Sequence, residues 1–214
     1  MKKGVIFDLD GVIVDTAPFH YLAWKETADK LGIQIDEEFN ESLKGIDRYN
    51  SLQKILDFGN VVLEEDEKER LMTEKNNRYL ELLESLSKES ILPGIEIFIS
   101  DLKNNGYKLA LASASKNAPL ILKKTGLYEY FDNIAEPGSV RAKPYPDIFL
   151  KGAELLGLNA DECVGIEDSY AGIQAINDAG IYSVGIGNAE ILSAADMNLK
   201  STDFLTLELI NSIV

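Results

Sequence analysis

Two aspartates, Asp8 and Asp10, follow a short apolar run at residues 5–7. Such a run is typical of a buried parallel strand, and Gly11 allows the chain to turn. Because side chains along a strand alternate between faces, the two carboxylates point to the same side. Neighbouring carboxylates raise each other's pKa unless a cation lies between them, and oxygen ligands suit a hard cation such as Mg²⁺. Two solvated acids in a turn are the plainer interpretation of the pair. The preceding buried strand favours a ligand site instead.

Polar residues also follow three later segments whose composition predicts strands. Hydroxyl and amide groups after the segment KLALA suit an oxyanion or a phosphate at a helix start. A lysine in the motif KPYP is a compact cation for a phosphoryl oxygen. Acids after the buried run CVGI are costly without a cation. These groups are, in chain order, Ser113, Ala114, Ser115, Lys116 and Asn117; Lys143; and Glu167 and Asp168.

Each of these groups has a plainer interpretation when taken alone, such as small residues in a turn or a solvated lysine. In a parallel sheet, however, the carboxyl ends of all strands lie at one edge. The four strand ends therefore predict one site that combines an aspartate pair, a hydroxyl, a lysine and a second acid pair.

The segments that must position these residues divide the chain in two. Residues 16–92 contain amphipathic helical patterns and no convincing strand, whereas strands alternate with helices from residue 93 onward. The predicted fold is α/β. It has a Rossmann-like parallel-sheet core domain, residues 1–15 plus 93–214, and a helical cap domain, residues 16–92, inserted after the first strand. A cap that leaves from the end of strand 1 lies over the aspartate pair, as a lid would.

Two local expectations concern helix boundaries. Residues 39–59, FNESLKGIDRYNSLQKILDFG, predict an amphipathic helix in the cap. Asn117 is a candidate N-cap residue for a core helix, with Pro119 in its first turn.

Composition excludes several classes of function. The formal charge of −15 disfavours a nucleic-acid partner, which would need clustered lysine and arginine. No apolar run approaches the ~20 residues of a membrane span, and acids interrupt the N-terminal apolar segment, so we expect no secretory signal and a cytoplasmic location. The single cysteine, Cys163, is expected to be a buried inert thiol. The single histidine, His20, excludes a histidine-cluster zinc site.

The order D-x-D-G, strand-end serine, lysine and acidic E-D pair resembles the haloacid dehalogenase superfamily of phosphotransferases, over the whole chain. Within that superfamily the sequence is similar to sugar-phosphate mutases. The segments that carry this closer similarity are HYLAW at 20–24, LKGIDR at 43–48, SLQKIL at 51–56, SASKN at 113–117 and IEDSYAGIQAI at 166–176.

The resemblance implies roles for the residues at the strand ends. It implies that Asp8 is a nucleophile that becomes an aspartyl phosphate and that Asp10 is the general acid and base. Ser113 and Lys143 are expected to hold the transferring phosphoryl group. Mg²⁺ is expected as the cofactor. Its implied ligands are Asp8, Asp10 through its backbone carbonyl, Asp168, and Glu167 directly or through water.

The resemblance also implies a phosphorylated hexose substrate, a monomer, and conversion of β-glucose 1-phosphate to glucose 6-phosphate through a bisphosphate intermediate. Arg48 is expected to bind the distal phosphate. For His20 and Trp24, a half-exposed polar side chain and a cap-core aromatic are the plainer interpretations. The implied substrate-binding residues are Thr16, His20, Trp24, Lys44, Gly45, Arg48, Ser51, Lys75, Ala114, Ser115, Lys116 and Asn117.

Two other functions stay open at this point. A sugar-phosphate phosphatase would share every core residue and differ only in giving the phosphoryl group to water. A non-catalytic phosphosugar-binding protein would be expected to lack Asp8 or Asp10. Three residues depart from the family pattern and leave the shape of the pocket in question, namely Asp47, Arg141 and Tyr145.

Overall fold

Six parallel strands form one sheet in the computed structural model, which describes residues 2–213. The strands are β1 (Gly4–Phe7), β2 (Lys108–Ala112), β3 (Asn133–Ala135), β4 (Cys163–Glu167), β5 (Tyr182–Ile186) and β6 (Met197–Leu199). Their order is β3-β2-β1-β4-β5-β6, and every neighbouring pair is parallel. β1 therefore lies inside the sheet, with the carboxyl ends of β2 and β4 on either side of its own.

The helices of the core cover both faces of the sheet. Alternation along β1 sends Val5 and Phe7 into one apolar cluster and Ile6 into another. The first cluster includes residues of α5 (Ile95–Asn104), α6 (Ala118–Thr125) and α9 (Leu207–Ser212). The second includes residues of α7 (Asp147–Leu156) and α8 (Tyr170–Asp178). The sheet is thus buried on both sides, which confirms the predicted Rossmann-like core.

Four α-helices lie between β1 and α5. They are α1 (Ala17–Lys30), α2 (Glu37–Glu41), α3 (Arg48–Phe58) and α4 (Glu65–Leu82). Part of this segment has an apolar cluster of its own, which includes Trp24, Leu52 and Leu71. The helical insertion after the first strand is confirmed, and we refer to it as the cap. Its exact boundaries, residues 16–92, stay a prediction.

The two connections between cap and core run side by side. Val14 and Ile91 form an isolated antiparallel bridge. Beside it, the Leu92 amide donates a hydrogen bond of 2.9 Å to the Ile13 carbonyl. The chain therefore enters and leaves the cap at one point, next to the aspartate pair.

The pattern at residues 39–59 forms two helices, so the prediction of a helix through it was wrong. α2 ends at Glu41, and α3 begins only at Arg48. Between them Gly45 has a φ of +73°, a left-handed conformation that ends a helix. Asp47 then begins α3, because its carboxylate accepts hydrogen bonds from the amides of Tyr49 and Asn50.

Two further elements near the C-terminus, β6 and α9, were not predicted. Within residues 2–213, no helix is both long enough and apolar enough to span a membrane.

Candidate active site

Asp8 lies directly after β1 and is almost fully buried, with 4% of its surface exposed. The ammonium group of Lys143 donates a hydrogen bond of 2.5 Å to Asp8 Oδ1 and another of 2.7 Å to Glu167 Oε2. The side chains of Lys143 and Glu167 are fully buried. One buried lysine therefore joins the ends of β1 and β4.

The charges of this cluster are not balanced. Burial, followed by the charge of Glu167, holds the pKa of Asp8 well above its ordinary value, although Lys143 opposes the shift. Burial also lowers the pKa of Lys143, but the charges of Asp8 and Glu167 outweigh it and raise that pKa above its usual value. Two carboxylates thus compete for one buried ammonium group, and further positive charge would stabilise both of them.

A third acid completes a set that can hold a metal ion. Oxygen atoms of Asp8, Glu167 and Asp168 lie within 4.8 Å of one another. Burial first, and then Glu167, raises the pKa of Asp168 to about 8. Buried carboxylates that repel each other and carry only oxygen donors fit a hard divalent cation.

Asp10 faces the cap. The hydroxyl of Thr16, which is fully buried, donates a hydrogen bond to Asp10 Oδ1. His20 Nε2 lies 3.8 Å from the same oxygen, and Nδ1 of that ring lies 2.9 Å from Lys75 Nζ. His20 Nε2 is buried and has no hydrogen-bond partner among the described residues. The cap therefore presents a histidine and a lysine to the second aspartate.

The environment of Lys75 weakens its positive charge. Its ammonium group lies 4.7 Å from the ring centre of Trp24 and 4.8 Å from that of Tyr79. Burial, followed by the charge of Arg48, lowers the pKa of Lys75 to about 7. Burial and the charge of Lys75 also hold the pKa of His20 well below its ordinary value.

A cavity of about 600 Å³ lies between the cap and the carboxyl edge of the sheet. This volume suits a small-molecule ligand. Most of the predicted site residues line it, whereas Thr16, Ser113, Lys143 and Glu167 are buried beside it. The predicted residues in its wall are Asp8, Asp10, His20, Trp24, Lys44, Gly45, Arg48, Ser51, Lys75, Ala114, Ser115, Lys116, Asn117 and Asp168.

The start of α6 contributes polar groups to this wall. Ser113 Oγ accepts a hydrogen bond from the Ser115 amide, and Ser115 Oγ accepts one from the Asn117 amide. Asn117 is the N-cap residue of α6, but its side chain makes no capping hydrogen bond, contrary to the expected role. The side-chain amide of Asn117 instead donates a hydrogen bond of 2.9 Å to Asn76 Oδ1 of α4.

The loop between α2 and α3 touches the acid cluster. Lys44 Nζ lies 3.4 Å from Asp168 Oδ2. A Cβ atom at Gly45 would overlap the Ser169 hydroxyl. That hydroxyl donates a hydrogen bond of 2.8 Å to Glu167 Oε1. The cap therefore packs closely against residues that follow β4.

The structure shows the contacts of the three residues that depart from the family pattern. The carboxylate of Asp47 lies in the cavity wall and is used to begin α3. The guanidinium of Arg141 stacks on the ring of Tyr145 at 4.5 Å and donates to Asp147 at 2.9 Å. Arg141 and Tyr145 line a second cavity, of about 490 Å³, and not the one that contains Asp8.

Several residues of the site were not predicted from the sequence, and three of them contact predicted residues. Tyr79 lies against His20, with ring centres 4.2 Å apart, and Asn76 accepts hydrogen bonds from both cap and core. Ser169 supports Glu167. The helical periodicity that places Lys75 on the inner face of α4 also favours Tyr79, four residues later, but nothing in the sequence indicates the partners of Asn76.

Comparison with known proteins places this geometry in a family. A model of the haloacid dehalogenase-like hydrolases matches residues 2–180. Because the match covers most of the chain, the protein belongs to this family.

Individual members of the family are similar to this chain over nearly its whole length or most of it. The chain is 45% identical over 212 residues to a β-phosphoglucomutase of Bacillus subtilis, covering 98% of this chain and 94% of that protein. It is similar to a crystal structure of β-phosphoglucomutase from Clostridium difficile with a TM-score of 0.96 and 50% identity, covering 99% and 96% of the two chains. It is also 33% identical to the fructose-1-phosphate phosphatase YqaB of Escherichia coli, covering 86% of this chain and 95% of that protein.

Proposed function

We propose that this protein is a β-phosphoglucomutase that interconverts β-glucose 1-phosphate and glucose 6-phosphate. The observation that carries the proposal is a cavity lined by both acidic and basic side chains. Its lining includes the acids Asp8 and Asp168 and the cations Arg48 and Lys116. A mutase needs both, because its substrate keeps one phosphate bound while the other is transferred. The similarity to two β-phosphoglucomutases supports the same reaction.

In the proposed reaction Asp8 first carries the phosphoryl group. A hydroxyl oxygen of the bound sugar phosphate attacks the phosphorus atom, and the bond to the Asp8 oxygen breaks. Asp10 takes the proton from the attacking hydroxyl. The hydrogen bond from the Thr16 hydroxyl holds that carboxylate towards the cap.

The bisphosphate that forms must turn end for end. Asp8 then attacks the other phosphorus atom, and Asp10 returns the proton to the leaving sugar oxygen. Lys143 stabilises Asp8 in both halves, since its ammonium group lies 2.5 Å from the reacting carboxylate. Ser113, buried at the end of β2, and the amides at the start of α6 are proposed to bind phosphoryl oxygens.

We further propose Mg²⁺ as the cofactor. Asp8, Glu167, Asp168 and the backbone carbonyl of Asp10 would hold it. When bound, the ion neutralises charge on the phosphoryl oxygens and on the acid cluster.

The deciding experiment supplies β-glucose 1-phosphate, Mg²⁺ and a trace of β-glucose 1,6-bisphosphate and follows phosphorus species by NMR. We expect glucose 6-phosphate with little free phosphate. Asp8→Asn is expected to remove all turnover, because the amide cannot form the acyl phosphate. Asp15→Asn, at an exposed aspartate beyond the motif, is the matched control and should retain activity. Appreciable turnover by Asp8→Asn would contradict the covalent mechanism.

A sugar-phosphate phosphatase is the second candidate, supported by the similarity to the fructose-1-phosphate phosphatase YqaB. The identity to that relative is lower than to the β-phosphoglucomutases. Steady release of phosphate from the same substrate, without glucose 6-phosphate, would favour it over the mutase.

A further inference from the structure

A chain of hydrogen bonds leads from the first turn of α8 to the buried acids. The Gly172 amide donates a hydrogen bond of 3.1 Å to Ser169 Oγ. Ser169 is the N-cap residue of α8 and is almost fully buried, with 3% of its surface exposed. Because the hydroxyl oxygen is an acceptor at the helix start, its proton is free for a second partner. The Ser169 hydroxyl donates that proton to Glu167 Oε1, at 2.8 Å.

Glu167 Oε1 is fully used by donors from the same stretch of chain. Besides the Ser169 hydroxyl, it accepts hydrogen bonds from the backbone amides of Asp168, at 3.1 Å, and Ser169, at 3.0 Å. A Cβ atom at Gly172 would overlap the carboxyl group of Glu167, so this glycine leaves the space that the carboxylate occupies. The other oxygen, Oε2, accepts the hydrogen bond of 2.7 Å from Lys143 Nζ.

The position of Glu167 therefore affects the proposed nucleophile. Lys143 Nζ bonds to Glu167 and to Asp8 at the same time, and the side chains of Lys143 and Glu167 are fully buried. Of the three donors to Oε1, only the Ser169 hydroxyl belongs to a side chain. A buried carboxylate that loses such a donor is free to turn away from its other partners.

We propose that Ser169 is a positioning residue for the acid cluster. Its hydroxyl, oriented by the first turn of α8, holds Glu167 where the carboxylate both pairs with Lys143 and faces a divalent cation. This inference rests on the proposed function, in which Lys143 stabilises Asp8 and Glu167 helps to hold Mg²⁺. The hydrogen bonds join only residues at the ends of β1 and β4, the loop that carries Lys143 and the start of α8, so they do not require contact with the cap.

The test must separate this role from helix capping, because Ser169 also begins α8. Ser169→Ala removes both the N-cap side chain and the donor to Glu167. Ser169→Gly removes the donor too, but glycine at an N-cap position costs a helix little stability. Thr206→Ala is the matched control. Thr206 begins α9 in the same way, by accepting a hydrogen bond from the Leu209 amide, and it does not line the cavity.

The first readout needs no turnover. Titration calorimetry without sugar phosphate measures the affinity of each variant for Mg²⁺, and thermal unfolding measures its stability. Loss of a hydrogen-bond partner from a metal-binding carboxylate predicts that Ser169→Ala and Ser169→Gly bind Mg²⁺ about 10- to 100-fold more weakly than the parent. Thr206→Ala, like Ser169→Ala, should unfold at a lower temperature, but it should keep the Mg²⁺ affinity of the parent.

The second readout is steady-state kinetics with β-glucose 1-phosphate, at Mg²⁺ concentrations well above the Kd of each variant. Ser169→Gly is expected to lower kcat about tenfold and to change KM less than about twofold. The split is expected because Ser169 acts through Glu167 and Lys143 on the reacting carboxylate and does not line the cavity.

A parent-like Mg²⁺ affinity or a parent-like kcat in Ser169→Gly would overturn the inference and leave Ser169 as the N-cap residue of α8 alone. If the parent protein released phosphate and formed no glucose 6-phosphate, the proposed function would fail. The Mg²⁺ affinities of Ser169→Gly and Thr206→Ala would still decide the role of Ser169.

Discussion

Lys75 is a residue whose charge depends on pH near neutrality, because its pKa is lowered to about 7. In the unfolded chain a lysine keeps its proton up to about pH 10.4. Between these values the unfolded state binds more protons than the folded state, so the contribution of Lys75 to the free energy of unfolding rises with pH. The slope can reach about 1.4 kcal/mol per pH unit.

Replacing Lys75 by methionine tests this coupling. The difference in free energy of unfolding between the parent protein and Lys75→Met is expected to shift in favour of the parent as pH rises from 7 to 10. Urea denaturation across that range at constant Mg²⁺ measures it. Lys124→Met, at an exposed lysine of α6, should show no such trend. A pH-independent difference for Lys75→Met would show that its ammonium group is not desolvated as the geometry indicates.

Asp168, a proposed ligand of Mg²⁺, should make metal binding depend on protons. Its pKa is raised to about 8, so the metal-free site holds a proton at pH 7 that a bound cation must displace. Titration calorimetry with Mg²⁺ at pH 7 should give a heat that changes with the ionisation enthalpy of the buffer. At pH 9 that dependence should become small. Equal heats in all buffers at pH 7 would contradict the raised pKa.

At the scale of elements, Asp47 could matter either through its negative charge or as the N-cap residue of α3. It lies beside Arg48, yet its carboxylate accepts hydrogen bonds from two amides at the start of α3. Asp47→Ala is therefore expected to lower the free energy of unfolding by about 1 kcal/mol. Asp47→Asn, which keeps a good N-cap side chain, should stay within about 0.5 kcal/mol of the parent. Equal destabilisation by both variants, measured in urea, would mean that the charge of Asp47 matters and its role as the N-cap residue of α3 does not.

The strands β1, β2 and β4 could be predicted because each is a largely buried apolar run that is followed by polar residues. The same alternation placed the acids after β1 and β4 at one edge of the sheet. β6 could not be predicted, since its three residues are only partly buried and carry no clear pattern. The break before α3 was missed because apolar periodicity continues across it, whereas the positive φ of Gly45 and its close approach to Ser169 are visible only in the fold.

The bridge through Asn76 lies beyond any local pattern. Asn76 and Asn117 are 41 residues apart and belong to different domains of the predicted fold. Asparagine at a helix start ordinarily predicts an N-cap side chain. Only the packing of α4 against the core makes another hydrogen-bond partner available to Asn117. Residues at strand ends could be assigned to the site from the sequence, whereas contacts between cap and core could not.

At the scale of the whole molecule, the proposed function requires the cap to pack closely against the core. Gly45 packs where a Cβ atom would overlap Ser169, so Gly45→Ala should hold the cap away from the acid cluster. Water would then reach the proposed aspartyl phosphate, and the ratio of free phosphate to glucose 6-phosphate should rise about tenfold. Phosphorus NMR of the mutase assay gives this ratio.

Gly32→Ala is the control for that experiment. Gly32 has a φ of +72°, almost the same as Gly45, but a Cβ atom there would meet nothing within 4 Å. Both variants carry a similar backbone strain of about 1 kcal/mol. A rise in phosphate release in both would assign the effect to strain and not to cap contact.

The monomeric state and the cytoplasmic location remain predictions.

The paired connections at Val14 and Ile91 have a consequence for how such proteins diversify. Since the chain leaves and re-enters the core at one point, the intervening segment can be exchanged as a cassette without rerouting any strand. Selection can then alter the choice of acceptor while the phosphoryl-transfer chemistry is inherited intact. A chimera that carries the cap of a phosphatase relative on this core is expected to fold and to inherit the acceptor preference of the donor.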